Sequence, residues 1–197
     1  MANITLNQLT AALDAQDQQY SKIPLQNGAH IVVTRRGGRV FGPFLGDSSA
    51  GLFWTNPALG DEAAFGEFLT RNDWNLGGER LWIAPEIQFT IQDRGDFWGS
   101  YVLPEGIDPG IYTLETLGDH HAHLYQQIQL AAYNIASGST TLDIQADIFP
   151  VADPLRALPD HAQLLENVRY AGYERRVTLA ILEGKAIVSG AWVLIQL

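Results

Sequence analysis

The sequence predicts an all-β fold, an antiparallel β-sandwich with one short N-terminal helix, in a single domain that covers residues 1–197. Several segments alternate apolar and polar residues, which is the pattern of a strand with one buried face. Turn-forming residues separate consecutive segments of this kind and indicate hairpins. Hydrophobic residues make up 46% of the chain and charged residues only 17%; this balance favours large buried sheets over exposed charged helices. A chain of 197 residues also fits one domain better than two.

The N-terminal helix is expected at about residues 5–17. Thr5 and Gln8 match a capping box, in which each side chain accepts a hydrogen bond from a backbone N–H at the start of a helix. Three leucines recur at helical spacing and form one apolar stripe, namely Leu6, Leu9 and Leu13. Together these signals predict one short helix with a single apolar face.

Strands are expected from about residue 29 onward, roughly ten in all. The predicted strands cover residues 31–34, 39–45, 52–55, 86–92, 111–117, 124–135, 141–149, 177–182 and 186–197. The segment 86–92 alternates strictly, which is typical of a strand with one buried face. Turn signals at 35–38, 136–139 and 183–185 are typical of hairpin connections.

Charge, cysteine content and hydropathy exclude several classes of protein. The formal net charge is −10, and an acidic surface repels phosphate backbones, so no nucleic-acid partner is expected. The absence of cysteine excludes disulfides and cysteine-ligated metals. No apolar stretch approaches the length of a membrane span, and the N-terminus lacks the pattern of a signal peptide. We therefore expect a cytoplasmic protein without a membrane partner.

Residues 72–86 form the densest unusual stretch, with two tryptophans, an arginine and two glutamates around a Gly-Gly turn. A sugar ring has an apolar C–H face and a polar rim, so aromatic platforms beside charged groups suit it. The residues expected to bind a carbohydrate are Trp74, Asn75, Glu79, Arg80 and Trp82, with Glu86 as a catalytic carboxylate. Two alternatives stay open. Trp74 and Trp82 could be core residues with Arg80 paired structurally with Glu79 or Glu86, or Glu79 and Glu86 could flank a glycosidic bond.

The histidines near residue 121 are the second group of candidate functional residues. On a strand, His121 and His123 share a face, which permits two metal ligands. A catalytic zinc site needs a third protein ligand, and the candidates are His161, Asp119 and Asp143. The cluster follows a Gly-Asp turn signal, so solvated histidines at a hairpin are the favoured interpretation, and no metal or other cofactor is expected. His123 stays a candidate for acid–base catalysis, since histidine titrates near neutral pH.

Six short segments carry a resemblance to a known family. They are residues 37–40, 52–57, 77–86, 154–155, 171–174 and 191–197. In order, and over about residues 28–197, they resemble an uncharacterised family with the galactose-mutarotase-like, or aldose 1-epimerase-like, fold. The most specific segment is Gly-Gly-Glu-Arg-Leu-Trp-Ile-Ala-Pro-Glu at 77–86. The resemblance implies a large antiparallel β-supersandwich, sugar binding or aldose 1-epimerisation, and no required metal.

The sequence departs from characterised mutarotases in two respects. Those enzymes use a histidine in an Asn-His motif, a second histidine and a late glutamate base, and no Asn-His pair occurs in this chain. The glutamate base would lie beyond residue 197. The resemblance therefore implies that the chain corresponds to the N-terminal half of the supersandwich, and a fragment or a short relative are the open alternatives.

The expected function is that of a carbohydrate-binding protein or carbohydrate-active enzyme of the mutarotase-like group, with aldose anomerisation by carboxylate acid–base chemistry as the implied reaction. The alternative is a non-catalytic structural module or an assembly subunit. The strand pattern of 191–197 reaches the last residue, and an open final strand can pair with another chain. Besides a small carbohydrate, the expected partner is therefore a homo-oligomer or a second chain that completes the sheet.

Overall fold

Two antiparallel sheets make up most of the protein in the computed structural model, which describes residues 4–184 and 186–197. The strands are β1 (Tyr20–Pro24), β2 (His30–Thr34), β3 (Val40–Phe44), β4 (Glu79–Ala84), β5 (Thr113–Thr116), β6 (Ala122–Ala132), β7 (Gly138–Pro150), β8 (Tyr173–Glu183) and β9 (Gly190–Ile195). The α-helices are α1 (Leu6–Ala15), α2 (Glu62–Thr70), α3 (Glu86–Thr90) and α4 (His161–Leu164). One sheet has the strand order β1-β2-β3-β4-β9, and the other has the order β5-β6-β7-β8. The predicted all-β antiparallel sandwich is therefore confirmed.

The main core lies between the two sheets. Alternation turns one face of each strand inward, as in β6 and β7, where every second side chain is buried along most of the strand. Buried side chains of both sheets meet in this layer, among them Ile31, Val33, Leu81, Ile83, Leu124, Leu142, Ile144 and Ile148. Burial of one such side chain stabilises the fold by about 1.5–3 kcal/mol. The inter-sheet layer is therefore a major source of stability.

A second core covers the opposite face of β2 and β3 with the helices α1 and α2. Val32 and Phe41 are partners in the β2–β3 register and lie in this core with leucines of α1 and phenylalanines of α2. The predicted capping box of α1 is present. The N–H of Gln8 donates to Thr5 Oγ1 over 3.3 Å, and the N–H of Thr5 donates to Gln8 Oε1 over 3.0 Å. In the described part of the chain, no helix is long and apolar enough to cross a membrane.

Several elements differ from the sequence predictions. β1 precedes the expected start of the strands at about residue 29, and α2 adds a second substantial helix where only one is predicted. Asp61 caps α2 by accepting a backbone hydrogen bond over 2.8 Å, and the helix buries Phe65 and Phe68. These are ordinary helix signals, so α2 is readable from the sequence. The predicted strand 52–55 is reduced to one isolated β-bridge.

The prediction of a strand at 86–92 is wrong, because residues Glu86–Thr90 form the helix α3. Contacts from distant parts of the chain explain this outcome. The side-chain amide of Asn134 donates to the carbonyl oxygen of Ile87 over 2.6 Å. The side chain of Gln88 is buried and forms hydrogen bonds with the backbone of the β6–β7 connection in both directions. The helix is therefore held by tertiary hydrogen bonds that no local pattern reveals.

The predicted hairpin at 183–185 is also wrong, although the turn at 136–139 joins β6 to β7 as predicted. β8 pairs with β7 in the four-stranded sheet, whereas β9 pairs with β4 in the five-stranded sheet. The chain therefore crosses from one sheet to the other after Gly184, and Lys185 lies outside the described residues. A turn signal predicts that the chain reverses direction, but it does not determine which sheet the next strand joins.

Gly77 and Gly78 set the start of β4, the strand that carries most of the predicted site. Their φ angles are positive, +85° and +70°. A Cβ atom at Gly77 would lie 2.3 Å from the carbonyl oxygen of Trp54, and one at Gly78 would lie 2.6 Å from that of Val40. Glycine is required at both positions because the neighbouring backbone approaches so closely.

We expect Gly77→Ala to lower the free energy of unfolding well beyond the roughly 1–2 kcal/mol cost of a left-handed backbone alone. The reason is that its methyl group would collide with the carbonyl of Trp54. Gly28→Ala is the matched control, since Gly28 has a φ of +72° but no atom of the described residues lies within 4 Å of its Cβ position. Urea denaturation of both variants provides the measurement. Equal losses would contradict the role assigned to the close approach at Gly77.

Candidate functional site

The predicted site residues on β4 separate onto the two faces of the strand. Alternation places Glu79 on one face and Arg80 and Trp82 on the other. Glu79 meets the four-stranded sheet, where Arg175 Nη1 donates to Oε1 over 3.1 Å and the hydroxyl of Tyr173 donates to Oε2. Both partners belong to β8. Glu79 therefore joins the two sheets.

The contact around Glu79 is buried and borders an opening in the sandwich. Burial raises the pKa of Tyr173, and the charge of Glu79 raises it further, so the phenol keeps its proton and stays a donor. Beside this contact a cavity of about 490 Å³, called the edge cavity below, lies between the edges of the two sheets. Its lining residues include Phe53, Glu79, Tyr173, Arg175, Val193 and Ile195.

On the other face of β4, the buried carboxylate of Asp108 accepts several hydrogen bonds. Arg39 Nη2 donates to both oxygens of Asp108, over 2.9 and 2.7 Å, and Trp82 Nε1 donates to Oδ2 over 3.0 Å. Arg39 also donates to the carbonyl oxygens of Gly77 over 2.6 Å and Trp74 over 2.8 Å. Burial lowers the pKa of Arg39, and the charge of Asp108 opposes that shift. The ion pair is fully buried, so each charge depends on the other.

Arg80 lies against two tryptophan rings. Its guanidinium carbon is 4.8 Å from the ring centroid of Trp82 and 5.4 Å from that of Trp74, within the range of a cation–π interaction. Its Nη1 donates to Gln196 Oε1 over 2.6 Å. The ring edge of Trp192, the register partner of Trp82 on β9, approaches Trp82 with 6.4 Å between centroids. Trp82 is buried in this stack and supports Arg80.

Trp74 and Asn75 border a different part of the surface. Both line a cavity of about 250 Å³ near the end of α2, together with Asn56, Arg71 and Asp73 among others. The backbone carbonyl of Asn75 accepts a hydrogen bond from Asn56 Nδ2 over 2.9 Å. The structure therefore divides the predicted sugar-binding residues. Glu79 lies at the edge cavity, Asn75 lies near α2, and Arg80 and Trp82 lie in the buried stack. Trp74 lines the cavity near α2 and also packs against Arg80 and Trp82, with 5.7 Å between the two tryptophan ring centroids.

Glu86 lies at the start of α3 and lines the site that we call the aromatic cleft. This cavity of about 170 Å³ is formed by Glu86, Ile87, Thr90, Ile91, Phe97, Trp98 and Tyr101. Trp98 is 81% exposed, and its ring packs edge-on against Phe97 with 5.0 Å between centroids. Burial raises the pKa of Tyr101, and the charge of Glu86 raises it further. The cleft thus combines a free indole ring, a carboxylate and a protonated phenol.

The loop that carries Trp98 is closed at its base by hydrogen bonds. The N–H of Asp93 donates to Ser100 Oγ over 2.9 Å, and that hydroxyl donates back to the carbonyl of Asp93 over 2.8 Å. Ile91 and Tyr101 form a β-bridge at the same point. These bonds hold the two ends of the loop together, so the exposed indole projects from a defined base rather than from a free segment.

His123 lies on the outer face of β6, and His121, the residue before this strand, lies on the same side, as predicted from their spacing. His121 Nε2 and His123 Nδ1 lie 2.8 and 3.0 Å from the same atom, Asp147 Oδ1. In register across the sheet, Glu115 faces His123 from β5 and Arg176 faces Asp147 from β8. Neither histidine lines the aromatic cleft, so the two predicted catalytic groups do not meet. Among residues 4–184 and 186–197, no three His, Asp or Glu side chains are grouped so as to hold a metal ion.

The residues of the candidate site and of the buried ion pair that sequence reasoning missed come from the segment 92–108. Phe97 and Trp98 stand in the polar stretch Gln-Asp-Arg-Gly-Asp-Phe-Trp-Gly-Ser, and aromatic residues in such a loop are a signal of an exposed site. Asp108 carries no comparable signal, because its partner Arg39 is distant in the sequence. Comparison of the chain with protein-family models, curated proteins and solved structures finds no match. Function is therefore inferred from the geometry of the site.

We expect Asp108→Asn to lower the free energy of unfolding by about 3–5 kcal/mol, because it leaves the buried guanidinium of Arg39 without a counter-charge. Asp119→Asn is the control, since Asp119 is exposed in a turn and a surface change of this kind costs at most about 0.5 kcal/mol. Urea denaturation measures both. If Asp108→Asn lowered the free energy of unfolding no more than the control does, the ion pair between Arg39 and Asp108 would not be important for stability.

The contact of Asp147 with two histidines is expected to make stability depend on pH. The hydrogen bond from His123 is the main cause that lowers the pKa of Asp147, and His121 adds to it. Because the folded-state pKa lies below the unfolded value of about 4, the carboxylate stabilises the fold above that value. This contribution is lost as the pH falls through the folded-state pKa.

Asp147→Asn should therefore be less stable than the wild type at about pH 6, and the gap should narrow towards about pH 3. Urea unfolding curves of the two proteins at both pH values provide the measurement. If the difference in the free energy of unfolding between the two proteins stays constant from about pH 6 to about pH 3, the lowered pKa of Asp147 does not contribute to stability.

Proposed function

We propose that the protein binds a carbohydrate in the aromatic cleft. The observation that carries the proposal is the exposed ring of Trp98 beside the carboxylate of Glu86 and the phenol of Tyr101. An indole face can stack on the apolar C–H face of a sugar ring. The resemblance to the galactose-mutarotase-like family supports the choice of a sugar as ligand, and it remains part of the proposal.

The polar groups of the cleft complement sugar hydroxyls. A hydroxyl both donates and accepts hydrogen bonds, whereas an ionised carboxylate only accepts. Glu86 would accept from one hydroxyl, and Tyr101 would donate to another, because its raised pKa keeps the phenol protonated. One acceptor and one donor beside an aromatic platform can orient a ring as well as hold it.

The size and charge of the cleft narrow the class of ligand. Its volume of about 170 Å³ is below the roughly 300–1,000 Å³ of pockets that enclose drug-sized molecules. A single sugar ring, partly exposed, fits this size better than an oligosaccharide. The carboxylate of Glu86 and the net charge of −10 disfavour phosphorylated or acidic sugars. We therefore propose a neutral monosaccharide unit as the ligand.

Binding is better supported than catalysis. In an anomerisation, Glu86 would take the proton of the anomeric hydroxyl while the ring C–O bond breaks, and a second group would protonate the ring oxygen. Among the residues that the structure describes, Tyr101 is the only other titratable side chain that lines the cleft. Its raised pKa makes it a weak acid, and an efficient catalytic acid has a pKa near the working pH. His123, the predicted alternative, lies on the outer face of β6.

We expect Trp98→Ala to weaken binding of a neutral monosaccharide at least tenfold, or about 1.4 kcal/mol, because it removes the stacking platform. Saturation-transfer NMR against a panel of neutral hexoses would identify the ligand, and calorimetric titration would measure its affinity. Glu86→Gln and Tyr101→Phe should each weaken binding several-fold, since each removes one polar partner but keeps the shape of the cleft.

Trp192→Phe is the control, because that aromatic ring lies against Trp82 and does not line the aromatic cleft. Its affinity should match that of the wild type. The proposal fails if the folded wild type binds none of the neutral sugars, or if Trp98→Ala binds the ligand as tightly as the wild type does.

A further inference from the structure

One side of the aromatic cleft, called the helical wall below, consists of Glu86, Ile87, Thr90 and Ile91. These residues lie on α3 or directly after it, and the other lining residues belong to the loop that follows. α3 has only five residues, whereas an isolated helix needs about 12–15 residues to be even marginally stable in water. The position of the helical wall therefore depends on contacts from outside α3.

The turn between β6 and β7 holds the helical wall through the side chain of Asn134. Its Nδ2 donates to the carbonyl oxygen of Ile87 over 2.6 Å and also to that of Ile91. An amide nitrogen carries two hydrogens, so a single side chain can satisfy both carbonyls. Since Ile87 and Ile91 are four residues apart, Asn134 fixes the backbone of the wall at two points.

The side chain of Gln88 makes the reverse contact, from α3 to the same turn. It is 1% exposed. Its Oε1 accepts from the N–H of Ile135 over 2.5 Å and from that of Ala136 over 3.3 Å, and its Nε2 donates to the carbonyl of Ala136 over 2.8 Å. The backbone carbonyl of Gln88 also accepts from the N–H of Tyr133 over 2.9 Å. Removal of one partner would leave a buried polar group without a hydrogen bond, so the turn and α3 depend on each other.

The loop with the exposed indole is anchored at the C-terminal end of α3. The N–H of Val102 donates to the carbonyl oxygen of Thr90 over 2.8 Å, and the N–H of Gln92 donates to that of Ser100 over 3.2 Å. Glu86, by contrast, lies at the N-terminal end of α3. The distance between the carboxylate and the indole ring therefore depends on whether α3 keeps its helical turn.

We propose that Asn134 and Gln88 are positioning residues of the aromatic cleft. They hold α3 so that Glu86 and Trp98 engage the same sugar ring, although residues 133–136 lie outside the lining of the cleft that the structure describes. This inference rests on the proposed function, because the ligand is the neutral monosaccharide assigned to the cleft. Binding groups must stay within about 0.5 Å of their productive geometry. The β6–β7 turn therefore determines the affinity of a site that it does not touch.

The first test is the affinity of Asn134→Asp for the neutral monosaccharide, measured by calorimetric titration. The variant keeps the shape of the side chain, but an ionised carboxylate cannot donate to the two carbonyls. We expect the Kd to rise about tenfold. Asn134→Ala should act in the same direction and introduces no charge, so it serves if Asn134→Asp does not fold.

Asn56→Asp is the matched control. It also removes an amide that donates to a backbone carbonyl, that of Asn75 over 2.9 Å, but Asn56 does not line the aromatic cleft. Its Kd should match that of the wild type. Because the Kd is measured on folded protein, a general loss of stability would not reproduce the effect expected of Asn134→Asp.

Amide hydrogen exchange tests the positioning role without a ligand. In Asn134→Asp, the N–H of Val102 should exchange about tenfold faster than in the wild type, because its acceptor Thr90 belongs to the loosened α3. The N–H of Ile144, on β7 in the inter-sheet core, should exchange at an unchanged rate. A global loss of stability would instead affect both amides.

The two measurements separate this inference from the proposed function. If the folded wild type binds no neutral sugar, the proposed function fails, while faster local exchange of Val102 in Asn134→Asp still supports the hold of the turn on the helical wall. The positioning role is overturned if Val102 exchanges at the wild-type rate in Asn134→Asp, or if that variant binds the sugar as tightly as the wild type does.

Discussion

The buried ion pair between Arg39 and Asp108 is the interaction on which the organisation around β4 depends. Removal of two charges from water costs several kcal/mol for each ion, and only good geometry and further hydrogen bonds offset that cost. Here Arg39 binds both carboxylate oxygens and the carbonyls of Trp74 and Gly77, while Asp108 also accepts the indole N–H of Trp82. One cluster thus ties together the residue before β3, the turn before β4, β4 itself and Asp108, which lies a few residues beyond the aromatic cleft in the sequence.

This arrangement explains why a stretch rich in sugar-binding residue types mostly builds structure. Alternation along β4 sends Glu79 to the inter-sheet contact and sends Arg80 and Trp82 to the buried stack. Polar groups at these positions are buried, so they need partners, and they find them within the protein. The alternative that the tryptophans are core residues holds for Trp82, which is buried. The ion pair expected between Arg80 and Glu79 does not form, because Glu79 lies on the opposite face of β4 and pairs with Arg175. Of the predicted motif, Glu86 alone lines the aromatic cleft.

The aromatic cleft differs physically from the buried stack around Arg80. Its exposed apolar group is one indole ring beside separate polar groups. This combination would suit a small ligand with both apolar and hydroxylated faces, which is the basis of the proposed function.

Local patterns in the sequence by themselves determined the all-β class, the capped helix α1, the burial alternation of β6 and β7, and the shared face of His121 and His123, because each depends on residues close together in the chain. Only the tertiary structure decided the rest. α3 exists because Asn134 and Gln88 form hydrogen bonds across more than 40 residues, Asp108 finds Arg39 across 69 residues, and β9 joins β4 instead of β8. Alternation shows which face of a strand is buried, but the partner that buries it is chosen by packing between distant segments.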